Sequence, residues 1–157
     1  MPLKEDYNRR QKLIELIEKP LWTITGKCAK DTLIPDLVSI CKVNDQHQFI
    51  IFDAKYYNAH LEKGIVPTGQ PGIESITKQY LYQLAYQRFI KDHNFSSVKN
   101  CFLLPTENNE IEDKGEVRME MLSNLGLQDI KIRLIPATMA YDLYLSGSKM
   151  DMGKLDL

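Results

Sequence analysis

Two short apolar runs separated by a polar segment constrain the fold of this chain more than any other feature. Residues 33–40 and 49–57 are rich in β-branched and aromatic residues, and residues 43–48, Val-Asn-Asp-Gln-His-Gln, interrupt the pattern. The simplest arrangement of such runs is an antiparallel hairpin. Charged side chains are costly to bury, so those within the runs are the first candidates for chemistry. There are three of them, Asp36, Asp53 and Lys55.

The geometry of a symmetric hairpin brings these charges together. Asp36 then lies opposite Lys55, and Val38 lies opposite Asp53. Side chains alternate across a strand, so the three charged groups share one face and the carboxylates are diagonal neighbours. Two carboxylates on apolar strands repel each other unless a cation lies between them. We therefore predict a Mg²⁺ or Mn²⁺ site formed by Asp36, Asp53, the Ala54 carbonyl and water, with Lys55 holding or helping to deprotonate the attacking water.

The spacing of these residues resembles a nuclease signature. Pro35-Asp36, sixteen further residues and then Asp53-Ala54-Lys55 resemble the PD-(D/E)xK pattern. Residues 52–57, Phe-Asp-Ala-Lys-Tyr-Tyr, and 76–82, Ile-Thr-Lys-Gln-Tyr-Leu-Tyr, resemble more narrowly the LlaJI family of restriction endonucleases. The resemblance covers roughly residues 20–145.

The resemblance implies a fold, an activity and partners. The fold is α/β and restriction-endonuclease-like, with a mixed central sheet flanked by helices. The activity is Mg²⁺-dependent hydrolysis of double-stranded DNA by a type II or McrBC-like restriction endonuclease, working with a GTP-driven motor subunit and as a dimer where both strands are cut. We expect residues 1–146 to form one PD-(D/E)xK nuclease-like domain of a longer chain, followed by a flexible C-terminal tail over residues 147–157.

A helix predicted over residues 73–91 supplies further candidates. Gln79, Tyr82, Gln83 and Tyr86 recur at helical spacing and form one face, which could turn toward the metal site and the DNA or belong to a half-buried helix with its tyrosines at the boundary. Apolar residues, among them Leu81, group on another side. The resemblance implies that Lys78 and Gln79 position the scissile strand. The residues predicted to contact DNA are Tyr56, Tyr57, Lys78, Gln79, Tyr82 and Gln83.

The predicted metal site lacks the glutamate ligand that related nucleases often supply. Residues 4–19 read as a helix ended by Pro20, and related nucleases often place a ligating glutamate on their first helix. Glu15 or Glu18 could be that residue, the two could form a solvated helix face, or the ligand could come from an upstream helix.

The secondary structure of the other segments is predicted from the alternation of apolar and polar residues and from turn-forming residues. A short strand or loop is predicted over residues 21–32, a loop over 64–72, and a buried strand over 98–105 after a helical crossover. A solvated acidic loop is predicted over 106–114, a strand or short helix over 117–121, and a helix over 137–145. Residues 130–135 read as an edge strand with Lys131 and Arg133 projecting from its polar face.

Composition limits the possible partners and the compartment. The net charge of −1, from 20 basic and 21 acidic residues, provides no overall field for a polyanion, so DNA binding would rest on a local patch or another domain. Three scattered cysteines, and the lack of any membrane-spanning run, favour the cytoplasm. Two alternatives remain open: a non-catalytic nuclease-fold module that docks DNA or a motor subunit, and a phosphodiesterase acting on RNA or nucleotides.

Overall fold

The computed structural model describes residues 15–157. Residues 15–20, the described end of the helix predicted over 4–19, contain no α-helix. Pro20 disfavours helical backbone at Lys19, directly before it. Residues 64–72 contain neither a helix nor a strand, as predicted, apart from a single bridge between Thr68 and His60.

The elements in chain order are β1 (Leu21–Trp22), β2 (Lys27–Cys28), β3 (Leu37–Val43), β4 (Gln46–Ala54), α1 (Ile73–Asp92), β5 (Ser97–Thr106), β6 (Glu112–Val117), a 3₁₀ helix (Glu120–Leu125), β7 (Ile130–Pro136), α2 (Ala137–Ser146) and a second 3₁₀ helix (Met152–Leu155).

A five-stranded mixed sheet in the order β3-β4-β5-β7-β6 forms the centre of the fold. The strands β4, β5 and β7 are parallel, whereas β3 and β6 run antiparallel to their neighbours at the two edges. The helix α1 makes the crossover that a parallel β4–β5 pair requires. This topology confirms the predicted α/β fold with a mixed central sheet. Of the two described α-helices, neither has the length and apolar character needed to cross a membrane.

The hairpin of β3 and β4 is present, but its predicted register is wrong by two residues. Leu37 pairs with Phe52, and Val43 pairs with Gln46. The turn is therefore made by two residues, Asn44 and Asp45, at φ values of 50° and 62°. Two successive residues at positive φ match the right-handed twist of the strands in a tight hairpin, and Asn and Asp tolerate this conformation. A shift of two residues keeps every side chain on its predicted face.

Alternate residues of β4 divide the core into two layers. Phe49 and Ile51 pack against the aromatic residues of α1, while Ile50 and Phe52 pack on the opposite face. Both sets are almost fully buried, which is what the apolar character of this run predicts. By the same alternation, Asp53 follows Phe49 and Ile51 onto the α1 side.

The helix α1 turns its glutamine-rich face into the protein, so three of the predicted DNA contacts are buried. Gln79, Tyr82 and Gln83 are buried, whereas Leu81 of the apolar group is 43% exposed. Gln79 and the Tyr82 hydroxyl donate to backbone carbonyls in the interior, and the Gln83 side-chain oxygen accepts from Asn100, so these polar atoms keep hydrogen-bond partners although they are buried.

The far edge of the sheet also differs from the prediction. The predicted loop over 106–114 includes the start of β6, which pairs with β7, so β7 is an inner strand rather than an edge strand. Arg133 does not project into solvent but is 2% exposed, and it bonds to Asp113 and to the carbonyl oxygens of Leu155 and Asp156. The predicted flexible tail therefore includes a segment that packs on the sheet, where Leu155 is 1% exposed.

Candidate active site

Asp53 and Lys55 lie together where β4 ends. The Asp53 side chain is almost fully buried on the α1 side of the sheet, and its Oδ2 atom lies 2.7 Å from the Lys55 ammonium. The Lys55 amide donates to the Leu103 carbonyl at 2.9 Å, which continues the sheet one residue beyond Ala54. Pairing with β5 thus fixes the backbone that carries Asp53 and Lys55.

Asp36 is the second carboxylate at this site. It directly precedes β3, and its Oδ2 atom accepts a hydrogen bond from the Ala54 amide at 3.0 Å. Since Leu37 pairs with Phe52, the observed register sets Asp36 directly beside Asp53 rather than diagonal to it. The structure therefore brings together the three charged residues that the sequence singles out.

The electrostatics of the site follow from this proximity. Burial raises the pKa of Asp53, and Asp36 raises it further, while the hydrogen bond and charge of Lys55 act in the opposite direction. Burial disfavours the Lys55 ammonium, but the hydrogen bond and charge of Asp53 outweigh that effect and raise the pKa of Lys55. At neutral pH Lys55 is therefore a cation, suited to orienting water or stabilising negative charge rather than to accepting a proton.

Two residues of α1 secure the hairpin that carries the carboxylates. Gln79 donates through Nε2 to the Ile51 carbonyl at 3.0 Å, and the Tyr82 hydroxyl donates to the Ile34 carbonyl at 2.9 Å. Ile34 lies two residues before Asp36, so Tyr82 holds the segment that positions that carboxylate. Burial, followed by the charges of Asp53 and Asp36, raises the pKa of Tyr82 to about 12. The sequence contains no signal for this positioning role, because the acceptor is a backbone atom distant in the chain.

The remaining predicted DNA contacts divide into buried and exposed residues. Gln83 accepts hydrogen bonds from the Asn100 side chain and the Gln128 amide, away from the carboxylates. Lys78 is exposed on α1. Tyr56 is 95% exposed and Tyr57 41% exposed, directly after Lys55 in the chain.

The two candidate glutamates lie along another part of α1. Glu18 is 3.9 Å from Arg88 and its side chain is 91% exposed. Glu15 lines the same groove as Glu18 and Arg88. The charged groups that act on the pKa of Asp53 are Lys55 and Asp36.

The donor set is chemically suited to a hard divalent cation. It consists of carboxylate oxygens, one of them in a buried position that disfavours its own charge, which is the type of ligand that Mg²⁺ and Mn²⁺ prefer. The Gln79 Oε1 atom, on the same side of the sheet, is buried without a hydrogen-bond partner among the described residues. Within residues 15–157, however, no cluster of three or more Asp, Glu, His or Cys side chains could hold a metal. Any further ligands would be water, backbone oxygen or residues outside this range.

Comparison with known proteins agrees with the predicted family. The sequence profile of the LlaJI restriction endonucleases matches residues 4–143. A Type II restriction enzyme BsuMI component, YdjA of Bacillus subtilis (strain 168), is 30% identical over 150 residues, which are 92% of this chain and 31% of that protein. The chain thus spans about a third of the length of this curated relative. No solved structure matches. With most of its length matched by the profile and its two carboxylates and lysine assembled at one strand end, the chain belongs to the LlaJI restriction endonuclease family.

Proposed function

We propose that this chain is the cleavage domain of a restriction endonuclease and hydrolyses phosphodiester bonds of double-stranded DNA with Mg²⁺, or Mn²⁺, as cofactor. The observation that carries the proposal is the placement of Asp36 beside Asp53, with the Lys55 ammonium 2.7 Å from the buried carboxylate. The spacing of Asp36, Asp53 and Lys55 in the sequence, which resembles the PD-(D/E)xK pattern, supports the same proposal.

Each residue has a role in this proposal. Asp36, Asp53 and the Ala54 carbonyl would hold the cation, which when bound polarises the phosphate and makes its bound water more acidic. Lys55, as a cation, orients the attacking water and stabilises the negative charge that develops on the phosphate. Gln79 fixes α1 against β4, and Tyr82 fixes the segment before Asp36.

The DNA contacts in the proposal are those that solvent can reach. Lys78 supplies a positive charge for a backbone phosphate, and Tyr56 and Tyr57 border the reacting strand. Gln79, Tyr82 and Gln83 are not kept as DNA contacts, because their side chains are buried and hydrogen-bond to protein.

The partners follow from the family and from the length of the relative. YdjA is named as one component of a restriction enzyme, and this chain matches 31% of it. We infer that other parts of such a system, including a GTP-driven motor subunit, supply DNA affinity that a chain of net charge −1 lacks. Cutting both strands would require a second active site, which a dimer provides. Cys28, Cys41 and Cys101 carry free thiols, which is consistent with action on DNA in the cytoplasm.

The test combines metal binding with cleavage. Mg²⁺ and Mn²⁺ binding is measured by calorimetry, and nicking of supercoiled plasmid is measured on the same samples, for the parent and Asp36→Asn. Asp45→Asn is the matched control, because Asp45 belongs to the same hairpin, its side chain is 92% exposed, and Asn tolerates its positive φ. Metal binding and nicking that vanish with Asp36→Asn but survive Asp45→Asn would support the proposal. Nicking by Asp36→Asn at the parental rate would refute it.

A second function is favoured by one observation. The relative YdjA is named as a component of a restriction enzyme, which suits a nuclease-fold module that docks DNA or a motor subunit without cutting. Metal binding with no cleavage of plasmid or RNA, under any partner condition, would identify the chain as this kind of module.

A further inference from the structure

A groove of about 420 Å³ opens beside the candidate active site. It shares Ala54 and Lys55 with that site and is otherwise lined by apolar and aromatic residues from the ends of β5 and β7 and from α2. Its volume falls within the range of roughly 300–1,000 Å³ that is typical of small-molecule pockets. It is therefore large enough for a planar ring but small for a folded partner.

The position of the groove follows from the sheet topology. The strands β4, β5 and β7 are parallel, so their carboxyl ends meet at one edge. Asp53 and Lys55 point to one side of that edge by strand alternation, and Ala54 and Tyr56 point to the other. Since α2 begins directly after β7, it forms the outer wall of the groove on this second side.

Three exposed tyrosines surround the opening. Tyr56, Tyr141 and Tyr144 all line the groove, and they are 95%, 64% and 79% exposed. Tyr141 and Tyr144 are three residues apart on α2, so they lie on the same side of the helix. Aromatic rings left in water at one location, beside an apolar floor that includes Pro105 and Ala140, form a surface on which another flat ring can stack.

The lining of the groove carries no negative charge among the described residues. No aspartate or glutamate of the described chain lines the groove, and its one charged residue, Lys55, directs its ammonium to Asp53 on the other side of the sheet. A polyanionic strand can therefore approach the groove without meeting a carboxylate in its lining, and Ala54 and Lys55 make the groove continuous with the candidate active site.

We propose that this groove receives an unstacked nucleobase of the DNA strand whose phosphate would be bound through the cation that Asp36 and Asp53 hold. The inference rests on the proposed function and adds a subsite to it. Base stacking on tyrosine is largely independent of sequence, so the groove would strengthen binding and fix the strand rather than read a particular base.

The test uses the 157-residue chain carrying Asp53→Asn, so that bound DNA stays intact. The probe is a duplex with one extrahelical 5-iodo-2′-deoxyuridine, cross-linked by light and mapped by mass spectrometry, together with affinity measured by fluorescence anisotropy. Cross-links are expected at the three groove tyrosines. Tyr141→Ala and Tyr144→Ala should each weaken binding roughly 5- to 100-fold, while Tyr144→Phe retains it. Both residues are exposed on a helix, so alanine preserves folding.

The control and the alternative outcomes separate this inference from the proposed function. Trp22→Ala removes an aromatic side chain that is 65% exposed but outside the groove, and should leave affinity and cross-linking unchanged. Nicking is measured for the parent and for the same tyrosine substitutions made with Asp53 intact. If the parent nicks plasmid and the tyrosine variants bind and nick equally well, the groove serves another purpose and the inference is overturned, with the proposed function intact. If the parent neither binds nor nicks DNA, both are overturned.

Discussion

The Lys55 ammonium lies 2.7 Å from Asp53 Oδ2, and Asp36 is a second charged neighbour that acts on the same carboxylate. The buried Asp53 thus has one positive and one negative neighbour. Burial and Asp36 together outweigh Lys55, because the pKa of Asp53 is raised. The fold therefore disfavours the charge that a metal centre needs at this position, and a bound cation would supply the missing compensation.

Asp53→Asn should increase stability and abolish cleavage. The fold favours the neutral form of this side chain, so the isosteric amide should raise the free energy of unfolding at pH 7, measured by urea denaturation. Loss of a ligand to the cation should reduce plasmid nicking at least roughly 100-fold. Parental nicking by this variant would show that Asp53 has no part in catalysis.

Lys55→Met should separate binding from chemistry. The variant keeps both carboxylates, so Mg²⁺ binding measured by calorimetry should persist, while nicking should fall by roughly two orders of magnitude because the cation that stabilises developing charge is lost. Removing Lys55 also leaves Asp53 buried without its positive partner, which should cost about 2 kcal/mol of stability. Combining Lys55→Met with Asp53→Asn should recover the stability but not the nicking. A stable, fully active Lys55→Met variant would contradict both parts.

Tyr82→Phe tests the positioning of Asp36. The loss of the hydrogen bond to the Ile34 carbonyl should cost about 1 kcal/mol at pH 8 and should lower nicking. The pKa of Tyr82 is raised from 10.0 to about 12, so the parent should lose stability as pH rises from 10 to 12, since unfolding frees the phenol to ionise. The phenylalanine variant lacks that loss, so the stability gap should narrow across this range. A gap independent of pH would mean that Tyr82 ionises normally in the folded protein.

The sequence identified the three charged site residues because charges are rare in apolar strands. It also identified the hairpin, but not its register, since a six-residue polar break does not say which two residues form the turn. Asn44 and Asp45 were the available signal, because both residue types tolerate positive φ. The predicted face of each side chain is still correct, because the register error is an even number of residues.

The orientation of α1 and the packing of the C-terminal segment could not be predicted from the sequence. Buried Gln79 donates to the Ile51 carbonyl, and buried Gln83 accepts from Asn100. These partners lie 28 and 17 residues away in the chain. Similarly, Arg133 looked like a solvent-facing charge, since the carbonyl groups that bind it belong to a segment about 20 residues later. Polar patterning alone cannot distinguish a solvated polar face from one whose partners come from distant strands.

Arg133 anchors the C-terminal segment, and its replacement should release that segment. Its guanidinium donates at 2.6 Å to Asp113 and to the carbonyl oxygens of Leu155 and Asp156. Arg133→Met should cost roughly 2–4 kcal/mol in urea denaturation, and hydrogen exchange at the Gly153 and Asp156 amides should accelerate.

Two matched variants distinguish the anchor from a simple loss of charge. Arg133→Lys should not restore stability, because one ammonium cannot replace a planar group that donates in several directions. Asp113→Asn should cost less than about 1 kcal/mol, because the Asp113 side chain is 57% exposed and solvent can replace the ion pair. If Arg133→Met kept parental stability and slow exchange at both amides, then Leu155 and its apolar neighbours would hold the segment without help from Arg133.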